Sequence, residues 1–224
     1  MTQFITIAVD GPAASGKGTL ARRLAEQFHL FYLDSGAVYR AVAKRILDLE
    51  KNPDNPEDAL SAALYVRDHL TSEMIADPAI RSDSVADATS RSSRFPAVRE
   101  IITGILQFYT NHPPVNQHHK PFQGSILDGR DIGTVVCPNA NVKLFITASP
   151  QIRAERRFKE LSARGIVTTY ETVLQDMLDR DARDNGREVS PSKPAPDAVH
   201  FDTSHMDSDH VFEKAVELIR QKLS

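Results

Sequence analysis

A run of small residues near the N-terminus, Gly11-Pro12-Ala13-Ala14-Ser15-Gly16-Lys17-Gly18-Thr19, has the composition of a phosphate cradle. Glycines let a backbone turn tightly and aim its N–H groups inward. A lysine there reaches the β- and γ-phosphates of a nucleotide, and the N-terminus of a following helix favours an anion. The common phosphate-loop pattern places a serine or threonine directly after the lysine, where its hydroxyl holds Mg²⁺. Here Gly18 takes that place and Thr19 comes one residue later.

A second candidate is Asp128, which closes the apolar run Ser125-Ile126-Leu127. An acid at a strand end holds Mg²⁺ in phosphoryl-transfer enzymes, directly or through water. The competing reading is an ordinary turn aspartate. A third signal is the placing of arginine: Arg40, Arg99, Arg130, Arg153, Arg156, Arg157, Arg180, Arg183 and Arg187 stand near the ends of expected elements. Guanidinium forks match phosphate oxygens bidentately. Each alone reads as a solvated surface residue, and Arg153, Arg156 and Arg157 could lie on the exposed face of their helix. It is their company with the loop that gives them weight. His118-His119 lacks the spacing and acidic company of a metal pair and reads as solvated loop. Cys137 reads as a small buried apolar residue, since no triad pattern surrounds it.

These groups need a scaffold. Phe4 to Val9 is an apolar, β-branched run that stops at Asp10-Gly11-Pro12, which predicts a buried strand before the loop. Leu20, Leu24, Ala25 and Phe28 follow at helical spacing. Further strands are expected at Phe31 to Leu33, Ser125 to Asp128, Val142 to Thr147 and Ala198 to Phe201. Helices are expected over about 37–49, 59–70, around Val98 to Tyr109, over 150–163 and 169–184, and at the C-terminus after a cap at Asp207 or Ser208. The stretch 71–95 is weak in periodicity. Strands alternating with helices predict a parallel α/β sheet.

Composition bounds the function classes. The chain has 224 residues, with 27 Lys+Arg against 30 Asp+Glu, a net charge of −3. That balance lacks the basic footprint of a nucleic-acid binder. With 41% hydrophobic and 25% charged residues the chain reads as globular rather than disordered. One cysteine excludes an internal disulfide, so a reducing cytoplasm is expected. No signal-type segment and no apolar stretch of about 18 residues is found, so no membrane span is expected. A single domain and a monomer are the expectations.

The motifs in order resemble those of bacterial cytidylate kinases. They are the loop at 11–19, Leu33-Asp34-Ser35-Gly36-Ala37-Val38-Tyr39-Arg40, Asp128-Gly129-Arg130-Asp131-Ile132-Gly133-Thr134-Val135-Val136, Arg180-Asp181-Ala182-Arg183-Asp184-Asn185-Gly186-Arg187, and the tail Asp202-Thr203-Ser204. The likeness spans nearly the whole chain. It departs between Arg40 and Arg81, where the segment is shorter than in typical bacterial members and the small strand-bearing insertion before Ile80-Arg81 is not found.

The resemblance implies a five-stranded parallel sheet with helices on both faces, a monophosphate-binding insertion over about 35–112 and a helical lid over about 150–187. It implies ATP on Gly11 to Thr19, with Mg²⁺ and with Asp128 and Thr19 reaching the metal through water. It assigns Lys17, Arg157, Arg130 and Asp128 to phosphoryl transfer, Arg157 being the lid's donor. Arg40, Arg130 and Arg187 would hold the acceptor's α-phosphate, and Ser35 would join the CMP site. Ser90, Arg99 and Asp131 would read cytosine, and Arg180 and Asp184 the ribose hydroxyls. The implied partners are ATP, CMP and dCMP, with no nucleic acid and no membrane. The base-reading set agrees with cytosine chemistry, since a carboxylate accepts from the N4 amine and repels the O4 of uracil. That argues against an AMP, UMP or shikimate kinase. A GTPase-type switch would need an Asn-Lys-x-Asp stretch after a strand, and none occurs. A purely structural module leaves the loop and the arginines without a purpose.

Overall fold

The computed structural model describes residues 4–116, 119–186 and 190–223. The chain forms two compact units, one of residues 1–33 with 113–224 and one of residues 34–112.

The larger unit is built on a five-stranded parallel sheet in the order β2-β3-β1-β4-β5. The strands are β1 (Ile5–Asp10), β2 (Phe31–Asp34), β3 (Gly124–Gly129), β4 (Val142–Thr147) and β5 (Val199–Asp202). Every position of β3 is buried, as suits a parallel strand covered on both faces. Helix α1 (Lys17–Phe28) buries Leu20, Ala21, Leu24 and Ala25. They join Ile7, Val9, Ile126, Leu144 and Ile146 of the sheet in one core. The last helix of the chain, numbered α9 (Ser208–Leu223), adds Val211, Ala215 and Ile219 to it. Asp207 caps α9, accepting from the amides of Asp209 and His210 at 3.0 and 2.8 Å.

Register decides what meets at the carboxyl edge of the sheet. Val9 pairs with Asp128, Asp10 with Gly129 and with Phe145, and Thr147 with Asp202. The chain leaves β1 for strands on one side and later adds β4 and β5 on the other. The crevice at that reversal, at the carboxyl ends of the strands, is where open α/β sheets bind ligands.

The unit of residues 34–112 is helical. It holds α2 (Ser35–Asp48), α3 (Pro56–His69), α4 (Ser72–Ala76), a short 3₁₀ turn at Pro78–Arg81, α5 (Asp83–Ser92) and α6 (Pro96–Asn111). No strand lies between Arg40 and Arg81, in keeping with the shortened segment there. The stretch 71–95, weak in periodicity, is largely helical. Local caps mark its helices: Thr71, Asp77 and Ser82 each accept a hydrogen bond from a backbone amide two or three residues on. Their buried faces carry Ile80, Val85 and Ala88, packed with Ala37 and Ala43 of α2, and much of the buried face of α5 is small or polar, Ala88, Thr89 and Ser92.

In the larger unit, α7 (Pro150–Ala163) and α8 (Tyr170–Asn185) form a hairpin with its own small core of Ala154, Leu161 and Val173. Phe158, Ile166, Tyr170 and Leu174 pack against it.

Candidate active site

The loop after β1 adopts the backbone its glycines permit. Gly11 has φ +152° and Gly16 φ +87°. A Cβ on Gly11 would stand 2.0 Å from the carbonyl oxygen of Ile146, so only glycine lets the loop leave β1 beside β4. Gly16 precedes α1 and has no side chain to cap it, and the N-terminus of a helix favours an anion. Lys17 opens the helix, and its Nζ donates to Pro12 O across the loop at 3.3 Å. Ser15 is buried in the loop, and its Oγ finds no hydrogen-bond partner among the described residues.

Asp128 lies against the first turn of α1. A Cβ on Gly18 would stand 3.3 Å from Asp128 Oδ2, so glycine at this position leaves room for the carboxylate. Asp128 is buried, and the Tyr32 hydroxyl donates to its Oδ1 at 2.8 Å. The residue of that turn facing Asp128 is Gly18, whereas Thr19 is exposed. The loop, the N-terminus of α1 and a carboxylate beside its first turn have the donors and acceptors that a nucleoside triphosphate and a hydrated Mg²⁺ need.

Beyond Asp128 the chain turns sharply. Arg130 Nε donates to Asp184 Oδ2 of α8 at 3.0 Å, which pairs a residue expected on phosphate with one expected on ribose. Asp131 is buried and stands at the head of a single π-type turn, Ile132–Val136. Its side chain makes no capping bond to that turn. The turn is capped instead from β1: Asp10 Oδ1 accepts from Ile132 N at 2.8 Å and Oδ2 from Gly133 N at 2.7 Å. Burial pushes the Asp10 carboxyl up to about 6, against the lowering effect of these two amides and of Lys17. Asp10 was not among the residues singled out from sequence. Its signal was the one that marked Asp128, an acid at a strand end.

Arg153 does not lie on an exposed helix face. It is 3% exposed and donates to Ala148 O at 3.0 Å, to Ala13 O of the phosphate loop at 3.3 Å, and to both oxygens of Asp181. Arg156 donates to Thr203 O at 2.7 Å, and the Thr203 hydroxyl stands 3.3 Å from Ser15 O. The tail Asp202-Thr203-Ser204 is thus stitched to the same loop. Arg157 donates to Glu160 Oε1 at 2.8 Å on the surface of α7. Arg180 lies one turn before Asp184 on α8. Arg187 and His118 fall outside the described residues. Cys137 is half-buried rather than buried, because it closes the π-type turn through its amide to Ile132 O at 2.7 Å and Pro138 leads the chain away.

The unit of residues 34–112 carries the rest. Ser35 is buried in the first turn of α2, behind the Asp34 cap that accepts from Ala37 N at 3.1 Å, and Arg40 lies on the same helix. Arg99 is buried on α6, donates to Ser93 O at 3.3 Å, and lies 5.4 Å from the ring centroid of Tyr39. Ser90 Oγ is buried and finds no hydrogen-bond partner among the described residues, which suits a hydroxyl kept for a ligand.

Among the described residues no helix is long and apolar enough to cross a membrane, and no three His, Cys, Asp or Glu side chains cluster to hold a metal by themselves.

Comparison with known proteins supplies a family. The family model described as cytidylate kinase matches residues 7–221. A cytidylate kinase of Rhodopseudomonas palustris (strain HaA2) is 44% identical over 213 residues, covering 95% of this chain and 94% of that protein. One from Paramagnetospirillum magneticum is 45% identical over 216 residues, covering 96% and 98%. In fold, the crystal structure of an uncharacterized protein from Eubacterium ventriosum ATCC 27560 superposes with a TM-score of 0.52 at 13% identity, covering 98% of this chain and 99% of that one.

Proposed function

The chain belongs to the cytidylate kinase family and is a phosphotransferase acting on CMP, and from that premise we propose the finer reading of its reaction. ATP donates its γ-phosphoryl group to CMP, and to dCMP, giving CDP or dCDP and ADP, a step of pyrimidine nucleotide metabolism. The observation that supports it best is the loop between Gly11 and Lys17, with the Asp128 carboxylate lying against the first turn of the helix it opens.

The protein's part in the chemistry is positional and electrostatic. The loop amides and the N-terminus of α1 take the triphosphate, and Lys17 turns from Pro12 O to the group in transfer. Mg²⁺ bound with ATP would neutralise charge between the phosphates, with Asp128, and Thr19 more distantly, as its water-mediated anchors. Arg130 and Arg157 take up the charge of the transferring group. Each now holds a carboxylate, Asp184 and Glu160, that a phosphate would replace. No general base is needed, because the attacking oxygen belongs to a phosphate already ionised at neutral pH.

Recognition of CMP is assigned to Ser35, Arg40, Ser90, Arg99, Arg130, Asp131, Arg180 and Asp184, with Arg187 on the phosphate. Residues of about 35–112 form the monophosphate-binding region and those of about 150–187 the lid. The enzyme works as a cytoplasmic monomer on free nucleotides, a reading supported by the near-neutral charge and the single cysteine. A coupled assay with ATP, Mg²⁺ and each of CMP, dCMP, UMP and AMP tests it. CMP and dCMP should turn over far faster than AMP. Equal or greater turnover of AMP would overturn the reading.

A further inference from the structure

The base-reading loop has an arrangement that the family likeness does not explain. A short helical turn opens with amides that need acceptors, and the residue at its head supplies one by default, most readily when it is an aspartate. Asp131 stands at the head of the turn Ile132–Val136, yet its side chain makes no capping bond there. The acceptor comes from another strand. Both oxygens of Asp10, at the end of β1, take the two leading amides at 2.8 and 2.7 Å.

The turn is packed closely on both sides. A Cβ on Gly133 would stand 3.2 Å from the stem of Lys143 and 3.4 Å, an ordinary contact, from Asp10 Oδ2. Asp10, Ile132 and Gly133 are all buried, so water does not replace a lost acceptor at these two amides.

We propose that Asp10 is a positioning residue for base selection: by capping the turn at Ile132 and Gly133 it holds the loop in place and keeps the Asp131 carboxylate out of the cap, directed to the nucleobase. The proposal rests on the reading of Asp131 as the acceptor for the cytosine N4 amine. Asp10 also precedes Gly11 directly, so one residue fixes the start of the phosphate loop and the base-reading turn together.

Loss of the cap frees Ile132 N and Gly133 N to recruit Asp131, the nearest carboxylate in sequence. Asp10→Asn presents an N–H₂ group to one of the two amides and breaks that bond while keeping the size of the side chain. The expected result is a CMP/UMP ratio of kcat/KM narrowed by about tenfold, carried by KM for CMP, with KM for ATP changed much less. Gly133→Ala presses the turn against the Lys143 stem, shifting Gly133 N relative to Asp10 without changing any charge, and should narrow the ratio in the same direction. It carries the test if Asp10→Asn does not accumulate as folded protein.

The decisive measurement is the double-mutant cycle with Asp131→Ala. If Asp10 acts through Asp131, then Asp10→Asn has no further effect on the ratio once Asp131 is gone. A residue that only stabilises the fold would lower the melting temperature and leave the ratio intact, and that result overturns the proposal. A folded Asp131→Ala enzyme with an unchanged ratio overturns instead the base-reading premise, and the proposal with it.

Discussion

Buried Arg153 and half-buried Asp181 form a two-pronged ion pair. The guanidinium meets the carboxylate at 3.2 and 2.5 Å, and the same fork reaches Ala13 O in the glycine-rich loop at 3.3 Å. One arginine on α7 thereby joins α8 to that loop. Breaking a fully buried pair typically costs about 3–5 kcal/mol, and water reaching Asp181 reduces that penalty here. Arg153→Ala should therefore lower stability by about 1–3 kcal/mol in urea unfolding and raise KM for ATP, since Ala13 loses its partner. Arg153→Lys should recover little, because an ammonium does not span two carboxylate oxygens and two carbonyls. A folded Arg153→Ala protein of wild-type stability would show that the pair contributes nothing.

For Lys17 the expected effect lies on the rate. Removing a charge directed at the transferring group costs on the order of 10²-fold or more in kcat at electrostatically stabilised sites. Lys17→Ala should show that loss in a protein that still folds, the bond from Nζ to the loop carbonyl of Pro12 being lost with the side chain. Near-wild-type turnover would remove Lys17 from the mechanism.

The pH dependence of stability carries a sign that identifies Asp10. Its carboxyl is raised in the folded state from the ordinary 3.8 to about 6, with burial and the neighbouring Asp131 raising it and the amides and Lys17 lowering it. A group raised on folding contributes stability that is fully present below its unfolded value and is lost as pH rises through its folded value. The window is therefore about 4 to 6. Asparagine does not titrate, so wild type should lose up to about 3 kcal/mol relative to Asp10→Asn between pH 4 and pH 7. Urea midpoints of the two proteins at several pH values measure this. A constant difference across the window would mean that Asp10 titrates as an ordinary carboxylate.

What was legible in the sequence followed from local chemistry. The strands are short apolar runs stopped by Asp-Gly or by polar turns, and helices α1, α6 and α9 place apolar residues at helical spacing. The phosphate loop was legible because Gly11 and Gly16 take backbone angles that other residues avoid. The helices of 71–95 were not, since Ala88, Thr89 and Ser92 are buried there without a large apolar stripe. Long-range partners left the least trace. Arg153 reads as surface on a basic helix until Asp181, 28 residues away, is folded against it. Asp10 meets its amides 122 and 123 residues later, so nothing near it in sequence announces the cap.

The hairpin of α7 and α8 is expected to close over bound nucleotides. It is held by a small core of its own, so it can move as a piece about the anchor that Arg153 provides. Its joining loop places Val167 99% exposed, an apolar side chain with little to lose by rearranging. Arg157 holds Glu160, three residues on, in a surface pair, and such pairs are worth about 0.2–0.5 kcal/mol. A phosphate in a site closed to water outweighs that pair, so Arg157 leaves Glu160 at small cost when the triphosphate arrives. Closure excludes water that would otherwise hydrolyse ATP. Amide exchange over 156–180 should therefore slow when ATP and CMP are both bound, and less with either alone, while the amides beside Arg153 change little. Arg157→Ala should lower kcat more than it raises KM for either nucleotide, because its bond to phosphate forms only in the closed state. Exchange over 156–180 that is the same with and without saturating ATP and CMP would mean that the hairpin is a fixed wall, and Arg157 would then have no route to the phosphate.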